Sequence, residues 1–364
     1  MRLLEIATMA FMLSTPNLAE ATQKQAPEQP LPFKIMRASG TYKIGTRYFD
    51  FKSPARPKKN RVVPLQIWYP ANPIGSEPLA PYNTKEAMAY IKQVTIEHHQ
   101  VPESRLVHMM DATGNAYLNA PISQTESKYP IIIFSPGYLT PPQSYTALLE
   151  DLASHGYIVV GMSHAKFPPL EEELKMPMGD FHQIWEDNVS RLIRDLPHLG
   201  TQVPVLSKAD IGKLGLVGHS FGGSTSLQVC EKEPLCKCAA DIDGFLHAKH
   251  PVHKLHKPSL ALMANDPMKN MTPADKEKDA ALLKLFKSAK GVAPMEYIEI
   301  EKMNHFSFTD AWILLPHIAE KTATISGEKG IEVSRKILAW FFDKNLKGLT
   351  QEFPQVKNVE LKKR

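Results

Sequence analysis

Gly218-His219-Ser220-Phe221-Gly222 is the stretch of this sequence best suited to chemistry. A serine with glycine two residues before and after it fits a sharp turn from strand to helix, where larger side chains would strike neighbouring backbone. The surrounding LGLVGHSFGGSTSLQV (214–229) supplies an apolar strand before the turn and a helical run after it. Ser220 in such a turn is strained, with its hydroxyl projecting, and serves as the nucleophile of an acyl transfer.

A serine hydroxyl is a weak nucleophile at neutral pH and needs a base in reach. The chain has 14 histidines, so residue type alone selects none of them. Position selects His305, because MEYIEIEKMNHFSFTD (295–310) reads as a strand followed by a loop that carries it. A loop histidine bonded to backbone is the plain alternative. The imidazole in turn needs an acid to orient it. Asp243 follows the apolar run of CAADIDGF (238–245) and Asp266 follows that of PSLALMANDP (258–267). The pattern leaves these two level and ranks Asp241, inside or at the edge of its strand, third. An acyl-transfer site also stabilises an oxyanion, and losing one donor costs about 100- to 1000-fold in rate. The N–H of Phe221 is one expected donor. The other is the N–H of Tyr138, where Gly137 allows close approach after the strand at 131–135.

Other residues invite chemistry less strongly. His247, His250, His253 and His256 recur every third residue, but Pro251 interrupts any helix that would align them and no acid or cysteine is interleaved. They read as a solvated basic loop, and neither a metal nor any other cofactor is assigned. Cys230, Cys236 and Cys238 do not have zinc spacing. Cys230 with Cys236 is the first pairing to consider, and three buried thiols are the alternative. AWILL (311–315) suits an acyl pocket, a lipid contact or plain core packing.

The elements that must position these residues alternate along the chain. Strand-like stretches at 35–51 and 61–72 flank a turn marked by Pro54 and Pro57. YPIIIFSPG (129–137) is an all-apolar run, as expected of a strand buried on both faces. A helix near Ser144–His155, the strand GYIVVGM (156–162) and an amphipathic helix over 181–196 follow. Apolar runs at 214–217, 239–242, 260–263 and 297–300 come next, and IEVSRKILAWFF (331–342) closes the series as an amphipathic helix. The alternation predicts an α/β fold: a mostly parallel central sheet with helices on both faces, and a cap-like insertion. With the serine turn, this is the pattern of an α/β-hydrolase. Residues 35–348 form that domain, with 73–128 as a cap or lid. Residues 1–21 read as a signal peptide, with Glu5 as a flaw in the apolar run, and 22–34 as a flexible leader. The expected location is therefore secreted or periplasmic. Residues 349–364 read as a basic, solvated C-terminal tail, with approach to an anionic or lipid surface as the alternative. The formal charge of +5, from 43 basic and 38 acidic residues, is too small and scattered to argue for nucleic acid.

YPIIIFSPGYL, DLASHGYIVVGMSH and GLVGHSFGGSTS, in that order, resemble the plasma-type (group VII) platelet-activating factor acetylhydrolases. RVVPLQIWYPAN and NHFSFTD resemble that family's early strand and histidine loop, so the likeness covers roughly residues 40–345 outside the variable cap. The resemblance implies Ser220 as nucleophile and His305 as base, with oxyanion donors at Phe221 and Tyr138. It also favours Asp243 over Asp266 as the acid. It further implies calcium-independent, phospholipase A2-like hydrolysis of short or oxidised sn-2 acyl chains on phospholipids. There are two departures. Pro136-Gly137 stands where the family has His-Gly, and the loop at 165–180 is shorter than in the animal enzymes, which leaves acyl-chain preference open. An esterase acting on non-phospholipid or polymeric esters and an acyltransferase share every residue named. A binding module on a hydrolase scaffold would not need an intact set of them.

Overall fold

A computed structural model describes residues 35–56, 59–99, 112–164, 175–265, 273–315 and 324–364, with Glu103 and Leu106 between. The expected leader and signal segment, Asp266 and most of the 165–180 loop lie outside the described residues. Strands β1 (Lys43–Arg56) and β2 (Lys59–Ala71) pair antiparallel as a hairpin, with Pro54 inside β1 and Pro57 outside the described residues. β3 (Leu79–Pro81), α1 (Lys85–His99) and β4 (Thr113–Leu118) follow. Then the chain alternates through β5 (Tyr129–Ser135), α2 (Thr146–Ser154), β6 (Ile158–Met162), α3 (Met178–Leu199), β7 (Ala209–His219), α4 (Phe221–Lys232), β8 (Cys236–Ile242) and β9 (Ser259–Asn265). α5 (Pro273–Ser288), β10 (Met295–Glu301), α6 (Gly327–Phe342) and β11 (Leu361–Lys363) complete it.

Among the described residues, eleven strands join one sheet in the order β11-β10-β9-β8-β7-β5-β6-β2-β1-β4-β3. From β6 through β10 the pairings are parallel throughout. Successive residues of a strand face opposite ways, and the two cores show it. Ile131 and Ile133 join one apolar cluster with Leu192 and Ile193 of α3 and Leu227 of α4. Ile132 and Phe134 join the other, with Leu148 and Leu152 of α2 and Ile337 and Phe341 of α6. Helices therefore cover both faces, and β7 lies near the middle with its C-terminal end free to carry a turn.

The described part of the 73–128 insertion joins the central sheet: β4 pairs with β1, and β3 pairs with β4. Tyr82 and Met88 pack with Trp312, Leu315 and Ile331 in a third cluster, so the apolar residues of AWILL pack against this part of the domain. The C-terminal segment, expected as a solvated tail, joins the sheet as well. β11 pairs antiparallel with β10, Lys362 pairs with Glu301, and Arg364 grips Glu299 through Nε at 2.9 Å and Nη2 at 2.8 Å. Its positive charges complement glutamates on the neighbouring strand, which a count of net charge does not reveal.

Cys230 and Cys236 form a disulfide from the end of α4 to the start of β8, and Cys238 is a buried thiol. The bridge spans a sequence separation of 6. A loop this short restricts the unfolded chain by only about 2 kcal/mol. The double variant Cys230→Ser/Cys236→Ser should therefore lose about 2 kcal/mol of unfolding free energy, with its native fold intact. Urea titration with unchanged m-value is the check.

Candidate active site

Ser220 stands between the last residue of β7 and the first of α4, with φ 56° and ψ −119°. Such a conformation costs a non-glycine residue on the order of 1–3 kcal/mol and persists only when its surroundings enforce it. Three bonds do so. The Ser220 N–H donates to the Ile242 carbonyl at 2.7 Å, and the Ser220 carbonyl accepts from Gly223 N–H at 3.0 Å and Ser224 N–H at 3.2 Å. The two glycines of the motif are required by contact. A Cβ at Gly218 would collide with the carbonyl of Gly222, and one at Gly222 with those of Ser135 and Pro136.

His305 opens a short turn directly after β10, and Asn304 caps that turn. Its Nδ1 lies 2.7 Å from Oδ2 of Asp243. Asp243 follows β8 in a left-handed conformation, φ 47°, and is buried. Its other oxygen, Oδ1, accepts the Ala264 N–H at 2.9 Å. An ionised carboxylate only accepts hydrogen bonds, so with Asp243 ionised Nδ1 of His305 carries its proton and Nε2 is the nitrogen left basic. The structure thus brings His305 and Asp243 together at the end of the sheet that carries Ser220. Asp241 goes elsewhere: its fully buried carboxyl lies beneath the turn, against Gly223 and Gly244. Burial first, and then the charge of Asp243, push its pKa well above the usual carboxylate range.

Phe221 is the first residue of α4, where backbone N–H groups have no acceptor within the helix and the helix dipole is positive. In the facing loop, Gly137 N–H donates to Tyr145 Oη at 3.0 Å, so the amide assigned to the oxyanion is the next one, at Tyr138. The rings of Tyr138 and Phe221 pack edge to face at 5.6 Å, which couples the two segments. Phe181 and Trp185 of α3 extend this aromatic group.

The four spaced histidines do not converge. The ring of His247 packs 5.2 Å from that of Phe221, while His256 Nδ1 pairs with Glu231 at 2.6 Å. No group of metal-ligating side chains occurs among the described residues. Sequence reasoning missed His219 and Tyr145, both buried and bonded to each other at 2.8 Å. The only signal was the place of His219 beside the nucleophile.

The family model for platelet-activating factor acetylhydrolase, isoform II, matches residues 205–363, which include Ser220, Asp243 and His305. The chlorophyllase model matches residues 92–242. Platelet-activating factor acetylhydrolase from Bos taurus is 24% identical over 254 residues, 58% of this chain and 55% of that protein. The chain is similar to the platelet-activating factor acetylhydrolases over its C-terminal half, and to them and other esterases at low identity. Cutinase est1 of Thermobifida alba is also similar, 23% identical over 53% of this chain and 56% of the cutinase. The chain spans about half the length of these curated relatives. A solved structure of a ferulic acid esterase from Streptomyces cinnamoneus superposes with a TM-score of 0.71 at 22% identity, covering 90% of this chain and 98% of that one. At that identity it shares the α/β-hydrolase fold with this chain.

Proposed function

We propose that the chain is a serine carboxylic ester hydrolase that releases short or oxidised sn-2 acyl chains from phospholipids through an acyl-enzyme. The observation that carries the reading is the 2.7 Å contact between His305 and Asp243 at the sheet end where the strained turn of Ser220 sits. In the proposed cycle His305 Nε2 takes the Ser220 proton as Oγ attacks the ester carbonyl. The tetrahedral oxyanion is held by the N–H groups of Phe221 and Tyr138. The imidazolium then protonates the departing lysophospholipid, and the neutral imidazole activates water to free the acyl group. Asp243 keeps the proton on Nδ1 and stabilises the imidazolium. The phospholipid preference is supported by the match to the acetylhydrolase family model and by relatives named platelet-activating factor acetylhydrolase, from Bos taurus, and probable 1-alkyl-2-acetylglycerophosphocholine esterase, from Arthroderma benhamiae.

The similarity to cutinases favours a second reading, in which the same residues act on non-phospholipid esters. A secreted or periplasmic location accompanies either reading, supported by the Cys230–Cys236 disulfide, since such bonds persist in oxidising compartments.

The test is hydrolysis of phosphatidylcholines with acetyl, short oxidised and long sn-2 chains, with a chelator present and Ser220→Ala as control. Release of the acetyl and short chains alone is expected, unaffected by chelation because the reading gives the oxyanion to backbone amides. Brisk cleavage of p-nitrophenyl esters with no phospholipid turnover would transfer the conclusion to the second reading. No turnover of any ester, with no labelling by a fluorophosphonate, would overturn both.

A further inference from the structure

We propose that His219 and Tyr145 are positioning residues, a hydrogen-bonded relay that fixes the oxyanion loop, the nucleophile turn and the base loop relative to one another. The inference rests on the ester-hydrolase reading of Ser220 and His305, and it assigns work to two side chains that do not touch the reacting atoms.

The relay has three links of ordinary hydrogen-bond length. Gly137 N–H lies 3.0 Å from Tyr145 Oη. Tyr145 Oη lies 2.8 Å from Nδ1 of His219. His219 Nε2 lies 2.9 Å from the backbone carbonyl of His305. Chemistry assigns every proton. A carbonyl oxygen only accepts, so Nε2 of His219 bears hydrogen. The ring is fully enclosed, and its centroid is 4.4 Å from that of His305, so burial first and then that neighbour hold its pKa well below the usual imidazole value. Neutral, with its proton on Nε2, the ring presents a bare Nδ1, which must accept from the Tyr145 hydroxyl. That hydroxyl has then spent its one proton, and its lone pair accepts from Gly137. The chain of donors runs in one direction without conflict.

Each link spans a gap that the backbone does not. Asn304 holds the base loop to itself, accepting from Phe306 N–H at 3.1 Å and Trp312 Nε1 at 2.8 Å. His219 instead ties the backbone of the base to the residue preceding the nucleophile. Tyr145 continues the tie to the loop that carries Tyr138. Its own segment is pinned from the other side, where Ser144 accepts the Asp310 N–H at 2.8 Å. A Cβ at Gly137 would crowd both Tyr145 Oη and His219 Nδ1, at 3.1 and 3.2 Å, so that glycine admits the relay as well as a substrate. The neutral state of His219 also suits catalysis, because a second imidazolium beside His305 would oppose the charge that His305 acquires as it takes the serine proton.

Two amide substitutions separate the links. In His219→Gln the side-chain amide reaches the position of Nε2 and still donates to the His305 carbonyl. In His219→Asn the shorter chain retains an acceptor for Tyr145 and loses the base loop. With a p-nitrophenyl ester, His219→Asn should lower kcat by about 10- to 100-fold, since displacement of a catalytic group by about 1 Å costs that much. KM should stay within about twofold, because no substrate contact is removed. His219→Gln should recover most of the loss, and Tyr145→Phe should lower kcat by about tenfold through the oxyanion loop. Nitrogen-15 spectra of the wild-type imidazoles, with the His219 signals assigned by their loss in His219→Gln, should show a neutral ring protonated at Nε2 between about pH 6 and pH 8. Equal kcat in the two amide variants, losses that merely follow thermal stability, or an Nδ1-protonated or charged His219 would overturn the relay. The spectra read the relay without turnover, so an inactive wild type would count against the proposed function and leave the relay to be judged on the His219 tautomer.

Discussion

Ser220→Ala should lower kcat by about 10⁶-fold, close to what removing the entire catalytic set costs in a serine hydrolase. The loss is expected to be this large because His305 and Asp243 have no task in acylation once the nucleophile is gone. Whatever rate survives comes from the oxyanion donors and binding alone. The fold should not change: the three hydrogen bonds that fix residue 220 are all made by its backbone, and alanine keeps them. Alanine also keeps the strain, since any side chain at φ 56° and ψ −119° meets the same backbone. Ser220→Gly separates the two consequences. It should be as inactive as alanine but more stable than alanine by about 1 kcal/mol, the strain released less the extra freedom of glycine in the unfolded chain. Thermal melts of the three proteins, with turnover of a p-nitrophenyl ester, provide the check. Activity in Ser220→Ala above about one per cent of wild type would remove Ser220 as nucleophile.

The parts of this site that a sequence reveals are those in which chemistry constrains neighbours along the chain. The serine turn is one, because a Cβ at Gly218 would meet the carbonyl of Gly222 within the same turn. The strands that place it are another, since Ile131 to Phe134 must be apolar on both sides when helices cover both faces. His305 was legible only through its position after a strand. Asp243 and Asp266 were not separable by pattern, because they follow adjacent parallel strands: Ile242 of β8 lies beside Leu262 of β9, so both strands end at the same edge of the sheet.

Side-chain pairing across long sequence separations stayed hidden. Tyr145 and His219 are 74 residues apart, and nothing local to either demands the other. The closing strand was hidden for a related reason. Lys362 and Arg364 look like solvated charge until the register sets them beside Glu301 and Glu299. Both cases need the fold before the partner can be named.

Asp243→Asn should lower kcat by about 10⁴-fold while leaving the protein folded, the size of effect seen where an orienting carboxylate becomes an amide in a serine triad. The hydrogen bonds around residue 243 explain why so small a change is so costly. Ala264 N–H is a fixed backbone donor 2.9 Å from Oδ1, so an asparagine would turn its oxygen there and its NH₂ toward His305. Nδ1 of His305, 2.7 Å from Oδ2, would then face a donor and have to accept. The imidazole proton would move to Nε2, the nitrogen that must be bare to take a proton from Ser220. The reversed amide would set NH₂ against the Ala264 N–H, leaving two donors facing each other in a buried site at a cost of about 1–3 kcal/mol. Either orientation is worse than the carboxylate, and the one that preserves stability is the one that disables the base. KM should therefore change little while kcat collapses, and fluorophosphonate labelling should slow in parallel with kcat. Asp266→Asn is the matched control, expected to retain activity within about threefold. The opposite outcome, a collapse in Asp266→Asn with Asp243→Asn near wild type, would transfer the role of the acid to Asp266.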